Sequence, residues 1–158
     1  MTKCISIKQP FASLIVEDIK DIENRTWKLP EKYKGQRVLV HASSAKAQFN
    51  FTSLQHQELN RLNLRRWYDR EQVKSAIIGS VEIVDCVINH PSIWAEKTKI
   101  PYLGDVLEDI KHLGRAERPN PLTYNWVLAN PIKFPEPIPA KGKLGFWEFD
   151  IENKLNNK

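Results

Sequence analysis

Lys20-Asp21-Ile22-Glu23-Asn24-Arg25-Thr26-Trp27 is the stretch that decides how this chain is read. Lys20, Ile22 and Asn24 fall on one parity, and Asp21, Glu23 and Arg25 on the other. In a strand one parity faces one side of the sheet. The run therefore predicts a strand that lines up two acids and a guanidinium, with a lysine before them and an indole after. The segment that follows, Lys28 to Arg37, is strongly basic.

Upstream, Cys4-Ile5-Ser6-Ile7 alternates as a first strand. Gln9-Pro10 then opens a helix whose apolar face is Phe11, Leu14, Ile15 and Ile19. Downstream, Leu29 to Gly35 reads as a loop and Gln36 to His41 as an apolar strand, ending in His41-Ala42-Ser43-Ser44. Ala45 to Ser75 has helical character, with a break at Asn50 to Ser53. Ala76 to Ile88 is the longest β run, and Gly79 inside it predicts a bulge or a close backbone contact. His90 to Pro121 is polar and irregular, with a helix predicted from Asp105 to Leu113. Tyr124 to Ala129 and Leu144 to Ile151 read as strands. The prolines at 131, 135, 137 and 139 between them forbid a helix and favour an extended edge or a loop.

This order, with helices in two connections only, predicts an α+β fold built on a small mixed β-barrel of five to six strands. Residues 1–151 are expected to form one domain, with a helical segment at 45–75, an insert at 89–123 and a polar tail at 152–158. The six glycines are scattered singly, so a glycine-rich phosphate loop is absent and a mononucleotide-type fold is not expected.

The 158 residues suffice for one domain with a proper core. No apolar run approaches the roughly 18 residues that span a bilayer. The first residues run straight into a strand pattern without the apolar core of a signal peptide, so a cytoplasmic location is expected. Cys4 and Cys86 each sit in an apolar run and read as buried thiols. They are too few and too far apart for a cysteine metal site, and no metal or cofactor is expected.

The net charge of +5 is uneven along the chain. Glu17 to Asn24 holds four acids and one base; Arg25 to Arg37 holds five bases and one acid; Arg61 to Lys74 holds five bases and two acids. Clustered cations with interleaved aromatics mark a phosphate-binding surface, and equally a solvated helix face or loop.

The motifs themselves carry a family likeness. Ile5-Ser6-Ile7-Lys8-Gln9-Pro10-Phe11-Ala12-Ser13-Leu14-Ile15 and Ile19 to Trp27 resemble the opening of ASCH-domain proteins, within the PUA-like superfamily. The second stretch looks like that family's lysine-x-x-glutamate-x-arginine strand. The likeness continues through Gly35 to Ser43, Ile78-Gly79-Ser80-Val81-Glu82, Tyr124 to Leu128, Pro137 to Gly142 and Gly145-Phe146-Trp147. It leaves out Ala45 to Ser75 and Cys86 to Thr123. The resemblance implies a β-barrel whose cleft receives RNA or a nucleotide-like ligand. It also implies, for some small members, amide hydrolysis of an N4-acylated cytidine by a lysine and a threonine three residues apart plus a later glutamate. Lys20 matches the lysine, Glu23 stands where those members have threonine, and no residue here matches the later glutamate. Ribonuclease activity is also attributed to some relatives.

Lys20 and Glu23 are the candidate catalytic residues. A base needs a lowered pKa. Asp21 and Glu23 beside Lys20 push the other way and favour an ion-paired, phosphate-attracting lysine. Glu23 and Arg25 share a face, as a ligand clamp or as an internal pair at the barrel mouth. Trp27 and Tyr33 offer stacking surfaces or fill the core, whereas Trp126 and Trp147 read as core. His41 is a cleft candidate, and Ser43 a ligand contact or, like Ser44, a helix N-cap. Asn125 is satisfied internally or aimed at a ligand edge. Lys141 and Lys143 flank Gly142 in a basic turn. Arg61 and Arg65 share one helical row and Arg66, Arg70 and Lys74 another, a candidate sequence-independent RNA surface.

The reading that follows is an RNA- or nucleotide-binding domain with a charged cleft. The alternative is a hydrolase acting on a modified nucleoside or on RNA. A protein-interaction module using Pro131 to Pro139 ranks last.

Overall fold

Six strands make one mixed sheet: β1 (Thr2–Gln9), β2 (Ile22–Arg25), β3 (Gln36–Lys46), β4 (Ala76–Val87), β5 (Tyr124–Pro139) and β6 (Phe146–Phe149). The computed structural model describes residues 1–67, 70, 72–98 and 122–156. The helix predicted over 105–113 and most of the insert at 89–123 lie outside them. The spatial order is β2-β5-β4-β3-β1-β6, with β1 and β3 parallel and every other neighbour antiparallel. A parallel pair needs a crossover. Here α1 (Phe11–Val16), β2 and a 3-10 turn (Glu31–Tyr33) supply it.

No backbone ladder joins the two edges, β2 and β6; side chains bring them together instead. The indole of Trp126 on β5 lies parallel to the ring of Phe146 on β6, with centroids 5.5 Å apart. Trp27, just past β2, meets Trp126 edge-on at 4.7 Å and Phe146 at 6.0 Å. Arg25 on β2 donates from Nη2 to the Ser6 carbonyl on β1 at 2.8 Å. The sheet is thus curled like a barrel around Ile5, Ile7, Val38, Val40, Val81, Ile83 and Trp126. The alternate residues Cys4, Leu39, Ile77, Ile138 and Trp147 form a second cluster on the other face. That face is packed by Ala140, Phe149 and Ile151, at the start of α3 (Ile151–Asn156).

Gly79 meets its expectation. The β4–β5 register shifts between Ile77 and Gly79, and a Cβ there would run into the Ile132 carbonyl and sit 2.7 Å from Val16 Cγ1. The prolines of β5 are explained by its neighbours. β2 covers only Tyr124 to Val127, so the far half of β5 is an edge paired to β4 alone, where missing amide donors cost nothing.

Three expectations need correction. The Gln36–His41 strand runs on to Lys46, because Gln9 pairs with Lys46 and accepts from the Ala47 amide at 2.8 Å. That pairing overrides the helix propensity of Ala45 to Gln48. Among the described residues of 45–75 the α-helix is α2 (Ser53–Arg61). Its N-cap is Thr52, in a capping box with Gln55, and not Ser43 or Ser44. Beyond α2, Asn63 (φ 57°) and Arg66 (φ 73°) take left-handed conformations that end the helix. Arg61, Arg65, Arg66 and Arg70 therefore share no helical rows. The sequence reading also gave the polar tail no element, whereas Asp150 Oδ1 accepts from the Asn153 amide at 3.1 Å and begins α3.

Candidate functional site

The chain that carries Lys20 is set by the end of α1. Asp18 turns left-handed (φ 61°), and the amides of Ile19 and Lys20 both donate to the Leu14 carbonyl at 3.0 Å. This reversal ends before β2 begins at Ile22, so Lys20 is not bound by strand alternation. Its ammonium lies 3.9 Å from Glu23 Oε2 although the two residues have opposite parity. It donates to the Ile22 carbonyl and sits 5.1 Å from the centroid of the Phe11 ring.

The Lys20 side chain is only 3% exposed and that of Glu23 10%. Burial holds the Lys20 pKa below the ordinary lysine value; the Glu23, Glu96 and Asp21 carboxylates oppose that shift, and the Arg25 cation adds to it. Desolvation is thus the larger influence on Lys20, with the neighbouring acids opposing it as expected.

Glu23 continues the chain of charges. Its Oε1 is 2.8 Å from Arg25 Nε, a close ion pair without hydrogen-bond alignment at that nitrogen. The guanidinium also lies 5.8 Å from the centre of the Trp126 ring. Glu23 and Trp126 are directly opposed across β2 and β5, so the acid and the guanidinium face the inside of the curl, as their shared parity predicts.

The other parity of β2 builds a different surface. Asn24 opposes Asn125, and Asn125 Nδ2 donates to Asn24 Oδ1 at 2.9 Å. Asn125 also donates to the Glu96 carbonyl and accepts from the His90 amide, each at 3.0 Å. Asn24 donates to the Trp94 carbonyl and accepts from the Glu96 amide, each at 3.0 Å. Asn125 is completely buried and fully used, so its role is to fix the 90–96 loop. Gln55 Nε2 on α2 fastens the same loop through the Ile93 carbonyl at 2.8 Å.

Between this loop, α1 and the 48–52 segment lies an open cleft of about 660 Å³. That volume falls in the range of small-ligand sites. Phe11, Phe49, Phe51 and Trp94 give it aromatic walls; Asn24, Gln48 and Gln55 give it amides; Lys20 gives it a buried ammonium. Phe11, Phe49 and Phe51 pack on one another, with centroids 4.6 to 6.5 Å apart.

Of the predicted site residues, Lys20 alone lines this cleft, with Glu23 beside it and Arg25 behind. Trp27 is a packing residue of the barrel seam, and Tyr33 is buried against Phe146 at 3.8 Å. His41 lies on the opposite face of the sheet and is buried. Its Nε2 is 2.9 Å from the Ala140 carbonyl, its Nδ1 is 3.1 Å from Ser6 Oγ, and its ring meets Trp147 edge-on. Ser43 is a β3 residue whose hydroxyl donates to the Ala45 carbonyl at 3.3 Å. Lys141 is exposed in the turn after β5. Arg61 is paired with Glu58 by two contacts of 2.7 and 2.8 Å, and Arg65, Arg66 and Arg70 are exposed in the chain beyond α2. The sequence reading missed the cleft's aromatic walls. The signal is the pair Phe49 and Phe51, the second of them inside the Asn50 to Ser53 helix break.

Among the described residues no helix is long and apolar enough to cross a membrane. The family model of the ASCH domain matches residues 5–138. The chain is 27% identical over 155 residues to human Activating signal cointegrator 1, covering 93% of this chain and 22% of that protein's length. The crystal structure of ASCH from Zymomonas mobilis aligns over 98% of this chain and 92% of its own, at 14% identity and a TM-score of 0.50. A point mutant of the same Zymomonas mobilis protein aligns at 13% identity, with the same TM-score and coverage of 98% and 94%. With a family match that spans β1 almost to the end of β5, around a curled six-stranded sheet, this chain belongs to the ASCH domain family, whose fold is PUA-like.

Proposed function

We propose that the cleft between α1 and the 90–97 loop receives a nucleobase with its attached phosphate, from RNA or a free nucleotide. The observation that carries this is the composition of its walls. Aromatic rings give a base a stacking surface, amides offer donors and acceptors to its edge, and the Lys20 ammonium attracts the anion. Titrating the protein with cytidine monophosphate and with short single-stranded RNA at low salt, followed by calorimetry, tests it. Binding is expected, and it weakens in Phe49→Ala, Phe51→Ala and Lys20→Gln. The absence of binding to either ligand at low salt overturns the reading.

A second reading, hydrolysis of an N-acylated nucleobase, has one observation in its favour. Burial depresses the Lys20 pKa, as a general base requires. The neutral amine would take a proton from water as the hydroxide adds to the acyl carbon, and return it to the departing exocyclic nitrogen. Release of acetate from N4-acetylcytidine, lost in Lys20→Ala with folding intact, is the result expected. No product from the wild-type protein removes this reading and leaves binding alone.

A further inference from the structure

Four chain segments meet at one end of the curled sheet, and together they hold five lysines and no acid. They are 6–9 at the end of β1, 43–48 at the end of β3, 72–75 before β4 and 139–144 after β5. The register brings them together. Gln9 pairs with Lys46, and Ala76 pairs with Ala42 on one side and Pro139 on the other. Gln9 Nε2 donates to the Val73 carbonyl at 2.9 Å, and the Ala140 amide donates to the Ser75 carbonyl at 3.0 Å. Lys8, Lys46, Lys74, Lys141 and Lys143 are all exposed, and none has a carboxylate partner among the described residues. Lys3, Lys34, Arg37, Arg61 and Lys133 are each paired with an acid, while Lys28, Lys32, Lys97, Arg65, Arg66 and Arg70, like the five lysines, have none among the described residues. What sets this end apart is that its cations gather with no acid in the same segments.

The turn 140–143 is held on this end by built contacts. Gly142 lies so close to His41 that a Cβ would sit 2.8 Å from Nδ1 and 3.0 Å from Ser6 Oγ. Ser6 Oγ also donates to the Lys143 carbonyl at 3.0 Å. Lys141 and Lys143 are therefore presented from an anchored backbone.

We infer that this lysine end binds the phosphodiester backbone of a single nucleic-acid strand whose base enters the cleft. The inference extends the cleft reading above and names its partner as a polymer. What favours a strand is continuity. The chain leaves Lys46 and within two residues becomes the cleft wall, with Gln48, Phe49 and Phe51 lining it. Phosphate-tracking cations that lead into aromatic walls are the arrangement that single strands use. An anionic membrane is the competing occupant, because Leu144 beside Lys143 is 98% exposed.

Fluorescence anisotropy with a labelled twelve-nucleotide oligouridine tests the inference, beside calorimetry with uridine monophosphate. Contacts to five phosphates of a single strand weaken binding about a hundredfold between 50 and 200 mM salt. The variant in which all five lysines become Gln is expected to keep its nucleotide affinity and bind the oligomer with less than about a threefold salt effect. An unchanged oligomer affinity and salt effect in that variant overturns the inference, as does the same loss appearing instead in an Arg65→Gln, Arg66→Gln, Arg70→Gln variant. Tighter lysine-dependent binding to vesicles of phosphatidylserine and phosphatidylcholine than to the oligomer also overturns it. Binding of the oligomer through the lysines, with no binding of the mononucleotide, supports the lysine end and sinks the cleft reading alone. A circular dichroism melt matching wild type shows that the variant is folded.

Discussion

Replacing Glu23 by Gln removes the carboxylate that offsets the burial of Lys20 while keeping the side-chain volume. The two groups are 3.9 Å apart, and both side chains are almost completely buried. An effective dielectric of about 20 gives about 4 kcal/mol for that attraction, which favours the charged form of Lys20. In the variant, burial and the Arg25 cation act on Lys20 with only Glu96 and Asp21 opposing them. The sign follows from linkage. The folded-state pKa of Lys20 already lies below the unfolded value, and the substitution lowers it further. The unfolded chain then binds the Lys20 proton more tightly than the folded one, so stability falls as pH drops from about 10.5 toward the folded-state value.

The variant is therefore expected to lose about 4 kcal/mol of Lys20 stabilisation relative to wild type at a pH below both folded-state values, and to recover that part as pH rises, the loss of the Glu23–Arg25 pair remaining at every pH. Urea unfolding of both proteins at unit steps from pH 6 to pH 10 measures this. That range avoids carboxylate titration. A variant as stable as wild type at pH 6 refutes the argument that Glu23 holds a buried cation in place.

Other substitutions read other parts of the fold. Gly79→Ala places a methyl against the Ile132 carbonyl and Val16, and is expected to cost about 1–3 kcal/mol or more in urea unfolding, whereas Gly145→Ala, which meets no atom, costs about 1 kcal/mol through its positive φ alone. Thr52→Ala removes the hydroxyl arm of the capping box, leaving the backbone amide of residue 52 to donate to Gln55, and is expected to cost about 1 kcal/mol, with Thr52→Ser restoring most of it. Asn125→Ala leaves the His90 amide and the Glu96 carbonyl without their partner. It is expected to cost about 1–3 kcal/mol for each buried group and to speed hydrogen exchange in residues 90–96 while the β3–β4 amides stay protected.

The fold was legible where side-chain period and local chemistry agreed. The β2 run was readable because its acids and guanidinium share a parity, and the structure keeps Glu23 and Arg25 on one face. Gly79 and the prolines of β5 announced a close approach and an edge. Legibility failed where a distant segment decides. Nothing local to Ala45-Lys46-Ala47 reveals that Gln9 will capture it as strand. His41 and Lys20 both looked like cleft residues, but they lie on opposite sides of the sheet, which only the register of β1, β3 and β4 determines. The parity rule also misled at Lys20, because the strand begins after it and a left-handed Asp18 turns its side chain toward Glu23. The cleft itself is made by the 48–52 segment and the 90–97 loop, which are joined to the barrel by side-chain amides and carry no period to read.

The acid at position 23 links the architecture to the choice between the two functional readings. It ties Arg25, whose other contact, to the Ser6 carbonyl, draws β2 toward β1 across the open seam. It also stabilises the charged form of Lys20 against burial. A threonine at the same place would do neither: it carries no charge for the guanidinium and none for the lysine. The carboxylate therefore works toward a held ammonium, the state that anion binding needs, and against the amine that proton abstraction needs. The two readings need opposite protonation states of one nitrogen, so the pH dependence of Glu23→Gln arbitrates between them. Recovery of stability with rising pH means that the lysine is a cation in the folded protein, as phosphate capture requires. A variant as stable as wild type at pH 6 means that the lysine is already an amine there, the state that hydrolysis requires.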